Sequence, residues 1–353
     1  MEETAERERQ IGAFAQRVLA DGTASITIVT AAIGDRLGLF RVLAESGPVT
    51  AEQLAGRAGI VERYAREWLS AMAAAGYLRY DAAGETFVLP EAHVPVLGRE
   101  DTPASLGSIL QWMLGVAPAL DAVADAFRTG AGVRSGRYGP DLGPAIERLG
   151  APAYVNALVP VWLPAMPAVP AALREGAAVA DVGCGAGRAL IELARAFPAS
   201  RFAGFDLDPE QVERARQNVQ AAGVDDRVRI ERSPVDAGPY DLICTFDVVH
   251  DAAGPEELLR SIRSALRPGG VYLCGEIDAG AALSDNLNPL GALYYGVSLL
   301  YCLSVSLAAG GPGLGSLGLP EPVLAELCER AGFGAVRRLP VGDPFHALYE
   351  VRP

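Results

Sequence analysis

Apolar positions change their spacing about halfway along the chain, and the change separates two kinds of architecture. From Thr23 to about Arg99 they recur mainly at helical intervals. Thr50 caps a helix that Gln53 completes as a capping box, and Gly59 ends it. A second helix is predicted from Val61 to Ala75, with Tyr64, Trp68, Leu69 and Met72 on its periodic positions. Gly76 to Tyr80 and Thr86 to Leu89 then alternate like a small two-stranded wing around Gly84. From Ala177 onward the pattern becomes strand, helix, strand, which predicts a doubly wound α/β fold with helices on both faces of a parallel sheet. Its strands are Ala177 to Asp181, Arg201 to Asp206, Val228 to Glu231, Tyr240 to Phe246 and Val271 to Glu276, followed by Ala335 to Leu339 and His346 to Val351. Arg267, Pro268, Gly269 and Gly270 are expected to form a tight turn into the fifth strand.

Between the two halves, Thr102 to Leu120 is uncharged and Val133 to Pro144 is rich in glycine and proline. The expected organisation is a winged-helix-like unit over 1–100, linking and lid helices over 101–170, and a catalytic domain over 171–353 with an apolar insertion at 281–319. Residues 286–320 carry no charge, and Pro289 to Ala309 could span a bilayer on length. Its tyrosines and serines, and its place between elements of one sheet, favour a lid over a membrane helix.

The chain has 353 residues, half of them hydrophobic, enough for two cores. Net charge is −13 and no lysine is present, so Schiff-base chemistry is excluded and sequence-independent affinity for nucleic acid is weak. The exposed positions of the second helix, Glu62, Arg63, Arg66 and Glu67, sum to zero, which argues against DNA reading. Five scattered cysteines without a CxxC pair read as reduced thiols, and the charged stretch Met1 to Gln10 lacks a signal core, so a cytoplasmic location is expected. No cluster of histidine, cysteine and aspartate has metal-ligand spacing along the sequence, and no metal is expected.

Asp181, Val182, Gly183, Cys184, Gly185, Ala186 and Gly187 join the first strand to the next helix, a turn where glycines let the backbone approach a nucleotide-like ligand at a helix N-terminus. Arg188 stands where a dinucleotide fingerprint wants its last glycine, which weakens a nicotinamide reading. Asp206 ends the second strand, where a carboxylate accepts both hydroxyls of a ribose, of NAD or of S-adenosylmethionine alike.

Taken in order and spacing, Val179 to Leu190, Phe205 to Pro209, Tyr240 to Ile243, Phe246 to Asp251 and Leu266 to Gly270 resemble the successive motifs of class I S-adenosylmethionine-dependent methyltransferases. With its front domain and insertion, the whole chain resembles bacterial small-molecule members of winged-helix type. The resemblance implies a seven-stranded Rossmann-like sheet and S-adenosylmethionine as cofactor. Asp181 would open the binding turn, Gly183, Cys184 and Gly185 would contact the methionine part, and Asp206 would hold the ribose. Leu207 would lie against the adenine, and Phe246 and Asp247 would line the amino acid end. Many members carry an acid after the third strand to meet the adenine amino group. Here Ser233 is the candidate.

His250, followed by Asp251, resembles the base of winged-helix O-methyltransferases, which deprotonates a hydroxyl; packing or capping the next helix is the alternative role. The acceptor, an apolar small molecule, is expected beside Trp112, Tyr294, Tyr295, Tyr301 and His346, with Tyr138 closing over the cofactor and Glu276 facing the acceptor or orienting His250. The expected activity is methyl transfer to a hydroxyl, with carbon or nitrogen as lesser alternatives, by a homodimer with neither nucleic acid nor membrane as partner. Two rivals stand beside it: a cofactor-binding, non-methylating cyclase of the same fold, and a ligand-sensing DNA-binding regulator.

Overall fold

The computed structural model describes residues 2–353, so Met1, which opens the charged N-terminal stretch, lies outside the described residues. Contacts divide the chain into two units, Met1–Gly115 with Pro144–Leu149, and Val116–Gly143 with Gly150–Pro353. Within the first lie helices α1 (Glu2–Arg36), α2 (Leu39–Ser46), α3 (Ala51–Ala58) and α4 (Glu62–Ala74), strands β1 (Arg79–Asp81) and β2 (Thr86–Val88), and helix α5 (Gly107–Val116). The capping box forms, with Thr50 N donating to Gln53 Oε1 at 2.9 Å and Gln53 N to Thr50 Oγ1 at 3.2 Å. Phe40, Leu54, Leu69 and Met72 fill the core. The Trp68 indole donates to Thr30 O at 3.0 Å, and a Cβ on Gly34 would stand 2.2 Å from its ring, so α1 and α4 can cross here only at a glycine.

The second unit holds α6 (Leu120–Thr129), the ends of α7 (Leu142–Ala153), α8 (Ala168–Glu175), β3 (Ala178–Val182), α9 (Arg188–Ala196), β4 (Arg201–Asp206), α10 (Pro209–Ala221), β5 (Val228–Arg232), β6 (Tyr240–Phe246), α11 (Pro255–Ala265) and β7 (Leu266–Ile277). It continues with α12 (Pro289–Val297), α13 (Leu303–Ala308), α14 (Glu321–Arg330), β8 (Ala335–Arg338) and β9 (His346–Arg352). Among the described residues the strands form a seven-stranded sheet of order β5-β4-β3-β6-β7-β9-β8, in which only the pairs made by β9 are antiparallel. The winding reverses between β3 and β6. That reversal opens a crevice at the carboxyl ends of the strands, where ligands of such sheets bind.

Two expectations change in detail. β7 begins at Leu266 and absorbs Arg267 to Gly270, because the ladder resumes after a register shift between Tyr240 and Leu242 and Gly269 takes φ 81°. The uncharged insertion is helical: α12, a π-helical segment Ser298–Cys302, and α13. Its Ser304 carbonyl accepts from Val133 N at 2.9 Å, and Ser306 Oγ donates to Ala252 O at 3.5 Å, which fixes it to its own unit. By length and composition alone, three helical stretches among the described residues could cross a membrane: Glu2–Arg36, Gly107–Thr129 and Pro289–Ala308.

Candidate functional site

Gly183, Gly185 and Gly187 take φ of 72°, 51° and 76°, so the turn between β3 and α9 is left-handed at three positions. A Cβ at Gly183 would meet Val248 Cγ2 at 2.6 Å, whereas one at Gly185 would meet nothing within 4 Å. Open space over Gly185 is what close approach of a ligand requires. Asp206 is tied into the turn: its Oδ2 accepts from Gly185 N and its Oδ1 from Asp208 N, each at 2.9 Å. A carboxylate has about four lone-pair sites, so it keeps capacity for both hydroxyls of a ribose. Asp208 caps α10 as expected, accepting from Glu210 N at 2.8 Å.

Leu207 is 67% exposed beside Asp206 and offers a bare apolar face. Ser233 lies half-buried one residue past β5. Asp181 is 2% exposed, and burial first, then the neighbouring Asp206 charge, push its carboxyl up to about 8. The Cys184 side chain packs in the core among Leu190 and Ile230, which leaves its backbone to meet a ligand. Together these residues fit an adenosyl group carrying a positive charge. They supply an open glycine turn, a diol acceptor, an apolar face and an underused carboxyl.

His250 follows β6 in a short 3-10 turn and is 2% exposed. Glu276, near the end of β7, accepts its Nδ1–H at 2.5 Å and uses its other oxygen to accept Val249 N at 2.8 Å. Glu276 therefore orients His250. The Nε2 atom lies 3.3 Å from Asp251 Oδ1, which makes no hydrogen bond among the described residues. Burial works against the imidazolium, but Glu276 and Asp251 outweigh it and hold His250 well above its ordinary range.

His346 opens β9 and is paired, not surface-exposed. Its Nε2 donates to Asp247 Oδ2 at 2.9 Å, and its Nδ1 lies 3.3 Å from Asp343 Oδ1. Burial opposes its charge; the two carboxylates prevail and raise it to about 10. For Asp247, burial would raise the carboxyl, yet the imidazolium of His346 holds it below the usual range.

Tyr138 donates to Leu300 O at 2.9 Å and meets Tyr301 edge-on at 5.2 Å. Tyr294 reaches Phe345 O at 3.4 Å, while Tyr295 turns outward, 40% exposed. Trp112 is buried on α5, in the first unit. Within the second unit Tyr154 and Trp162, from a π-helical segment Tyr154–Trp162, stand 5.2 Å and 5.7 Å from Phe246. Both lie in the stretch that sequence pattern assigned to linking helices; the local density of aromatics in an uncharged run was the available signal. Linear spacing also missed two groups able to hold a metal ion, Asp247–His250–Glu276 and His250–Asp251–Cys302, with candidate ligand atoms within 4.8 Å in each. An open groove of about 530 Å³ between α11, α14 and Pro312 contains none of these residues.

Residues 180–272 match the family described as a methyltransferase domain, and residues 24–99 an Rv2258c-like winged HTH domain. Acetylserotonin O-methyltransferase of Mus musculus molossinus is 30% identical over 328 residues, 87% of this chain and 80% of that protein. The 27-O-demethylrifamycin SV methyltransferase of Amycolatopsis mediterranei is 32% identical over 109 residues, 30% of this chain and 40% of that protein. The chain spans only about a third of the length of the first curated relatives it matches. Human N-acetylserotonin methyltransferase in complex with SAM has the same fold, with a TM-score of 0.71 at 21% identity, over 96% of this chain and 97% of that one. The matching domain families and the relative that is 30% identical over 87% of the chain establish that the chain belongs to the class I S-adenosylmethionine-dependent small-molecule methyltransferases with an N-terminal winged-helix domain.

Proposed function

We propose that this enzyme transfers a methyl group to a hydroxyl oxygen of an apolar small molecule of secondary metabolism, with His250 as the base. The observation that carries the reading is the buried Glu276–His250 pair at the carboxyl ends of β6 and β7. When bound, S-adenosylmethionine supplies an electrophilic methyl on a sulfonium. The chain supplies the rest. Asp206 and the turn Gly183–Gly187 would hold the adenosine, and the Phe246 ring would favour the cation. Glu276 accepts Nδ1–H and so leaves Nε2 as the atom that takes the acceptor's proton. Glu276 and Asp251 then stabilise the imidazolium that forms. Curated relatives named for acetylserotonin and 27-O-demethylrifamycin SV support a small-molecule acceptor.

Incubation with methyl-labelled S-adenosylmethionine and a panel of phenols should move label to an oxygen. Retention of all label on the sulfonium, with the cofactor bound, would favour the cyclase reading instead. Replacing His250 by Ala should lower turnover about a hundredfold or more while leaving cofactor affinity within a few-fold. Because His250 is held protonated above its ordinary range, turnover should rise as pH climbs past 6.5. A flat profile in a fully active His250→Ala variant would remove the base.

A further inference from the structure

Asp247 is one of two non-glycine residues with positive φ among the described residues, at 57°; the other, Glu85, sits in the wing turn. A left-handed aspartate at the end of a central strand persists only where its surroundings fix it. Three contacts do so. Its backbone N–H donates to Gly275 O at 2.9 Å, its Oδ2 accepts from His346 at 2.9 Å, and Asp343 holds His346 in turn by accepting its backbone N–H at 2.8 Å. All of this aims a carboxylate whose second oxygen, Oδ1, is shut off from solvent and has no hydrogen-bond partner. A desolvated acceptor without a donor is unfavourable, and a ligand that brings one recovers the loss.

What that ligand is follows from the neighbours. Candidate ligand atoms of Asp247, His250 and Glu276 fall within 4.8 Å of one another, so the carboxylate shares its space with the proposed base. Asp247 is the carboxylate that stands beside the base, since its candidate ligand atom shares that cluster with His250 and Glu276 while Asp181 has no part in it. The remaining wall is aromatic, with Phe246 packed on Trp162 and Trp162 on the His346 ring at 6.3 Å.

We propose, resting on the methyl-transfer reading above, that Oδ1 of Asp247 selects acceptors that carry a hydrogen-bond donor, O–H or N–H, on the carbon next to the methylated hydroxyl. The substrate class is then an aromatic vicinal diol or amino-alcohol. His250 takes the proton of one group while Asp247 accepts from its neighbour, which also settles which of the two oxygens meets the methyl. His346 is a positioning residue, acting through Asp247.

The test uses the full chain saturated with S-adenosylhomocysteine and two matched probes, 2-naphthol and 2,3-dihydroxynaphthalene, by calorimetry. The diol should bind about tenfold tighter or more, the value of one hydrogen bond to a charged group. Asp247→Asn turns an acceptor toward a donor and should erase that preference. His346→Ala should weaken the preference in part, and His346→Gln should restore some of it. Equal binding of the two probes by the natural protein, no binding of the diol at millimolar concentration, or a preference that survives in Asp247→Asn overturns the proposal. A large loss of S-adenosylhomocysteine affinity in Asp247→Asn also overturns it, because Oδ1 then serves the cofactor's ammonium. Label transfer to 2-naphthol with no diol preference would end this inference and leave methyl transfer standing. A diol preference with no label transferred to either probe would do the reverse.

Discussion

Asp206 shows how one side chain can be structural and still keep free acceptor capacity for a ligand. Its two oxygens already tie the glycine turn to the head of α10 through Gly185 and Asp208, so the ribose would meet a carboxylate that the backbone has oriented. Replacing it by Ala should lower S-adenosylhomocysteine affinity about ten- to a hundredfold by calorimetry, as expected for charged hydrogen bonds. Unchanged affinity would remove the ribose role. The place of Asp206 could be read in the sequence because its surroundings are local: a strand end, a glycine turn and a cap lie within a short span. The place of His250 after β6 was legible for the same reason, through the acid beside it. The pairing of Asp247 with His346 was not, because the two stand 99 positions apart and meet only when β9 inserts antiparallel beside β7. Cys302 likewise reaches His250 and Asp251 only through the fold of the insertion.

At the scale of elements, period carried most of the information. β4 and β6 fall on their expected residues because β4 is a buried run between Arg201 and Asp206 and β6 one bounded by Pro239 and Asp247, and α10 starts where Asp208 and Pro209 put it. α1 was legible only from Thr23 onward. Of its 35 residues only Ala31, Ala32 and Gly34 are buried, and Gly12, Gly22 and Thr23 dilute its helical signal, so no core-facing stripe announces it. It nevertheless leaves Leu19, Ile26, Val29 and Ile33 between 42% and 71% exposed at intervals of three, four and seven. Spacing of that kind fits a seam between two helices, and the occupant we expect is α1 of a second copy. Sedimentation should then show a dimer, and Leu19→Asp with Ile26→Asp a monomer of unchanged helical content. A natural protein that sediments as a monomer would leave the face unexplained.

For the whole molecule, the buried acids and histidines set how stability depends on pH. Asp181 is raised to about 8 in the folded chain, so between its ordinary 3.8 and 8 the folded state binds more protons than the unfolded one, and stability falls as pH rises through that window. His346, raised to about 10, acts in the same sense: its contribution is complete below 6.5 and is lost as pH climbs through 10. Asp247 and Asp343, held below the usual range, work the other way and lose their contribution as pH drops below about 3.8. The sum is a stability maximum in mildly acidic solution, with a long decline on the alkaline side. Thermal melts from pH 4 to 10 should show it, with Asp181→Asn flattening the lower part of that decline and His346→Gln the upper part. S-adenosylmethionine adds a test of its own, since a cation held near Asp181 favours the carboxylate and lowers the pH at which it ionises. The melting-temperature gain from the cofactor should therefore grow between pH 5 and 8 in the natural protein, and stay level in Asp181→Asn. A gain that rises equally in both would mean that the charge of Asp181 is not what the sulfonium meets.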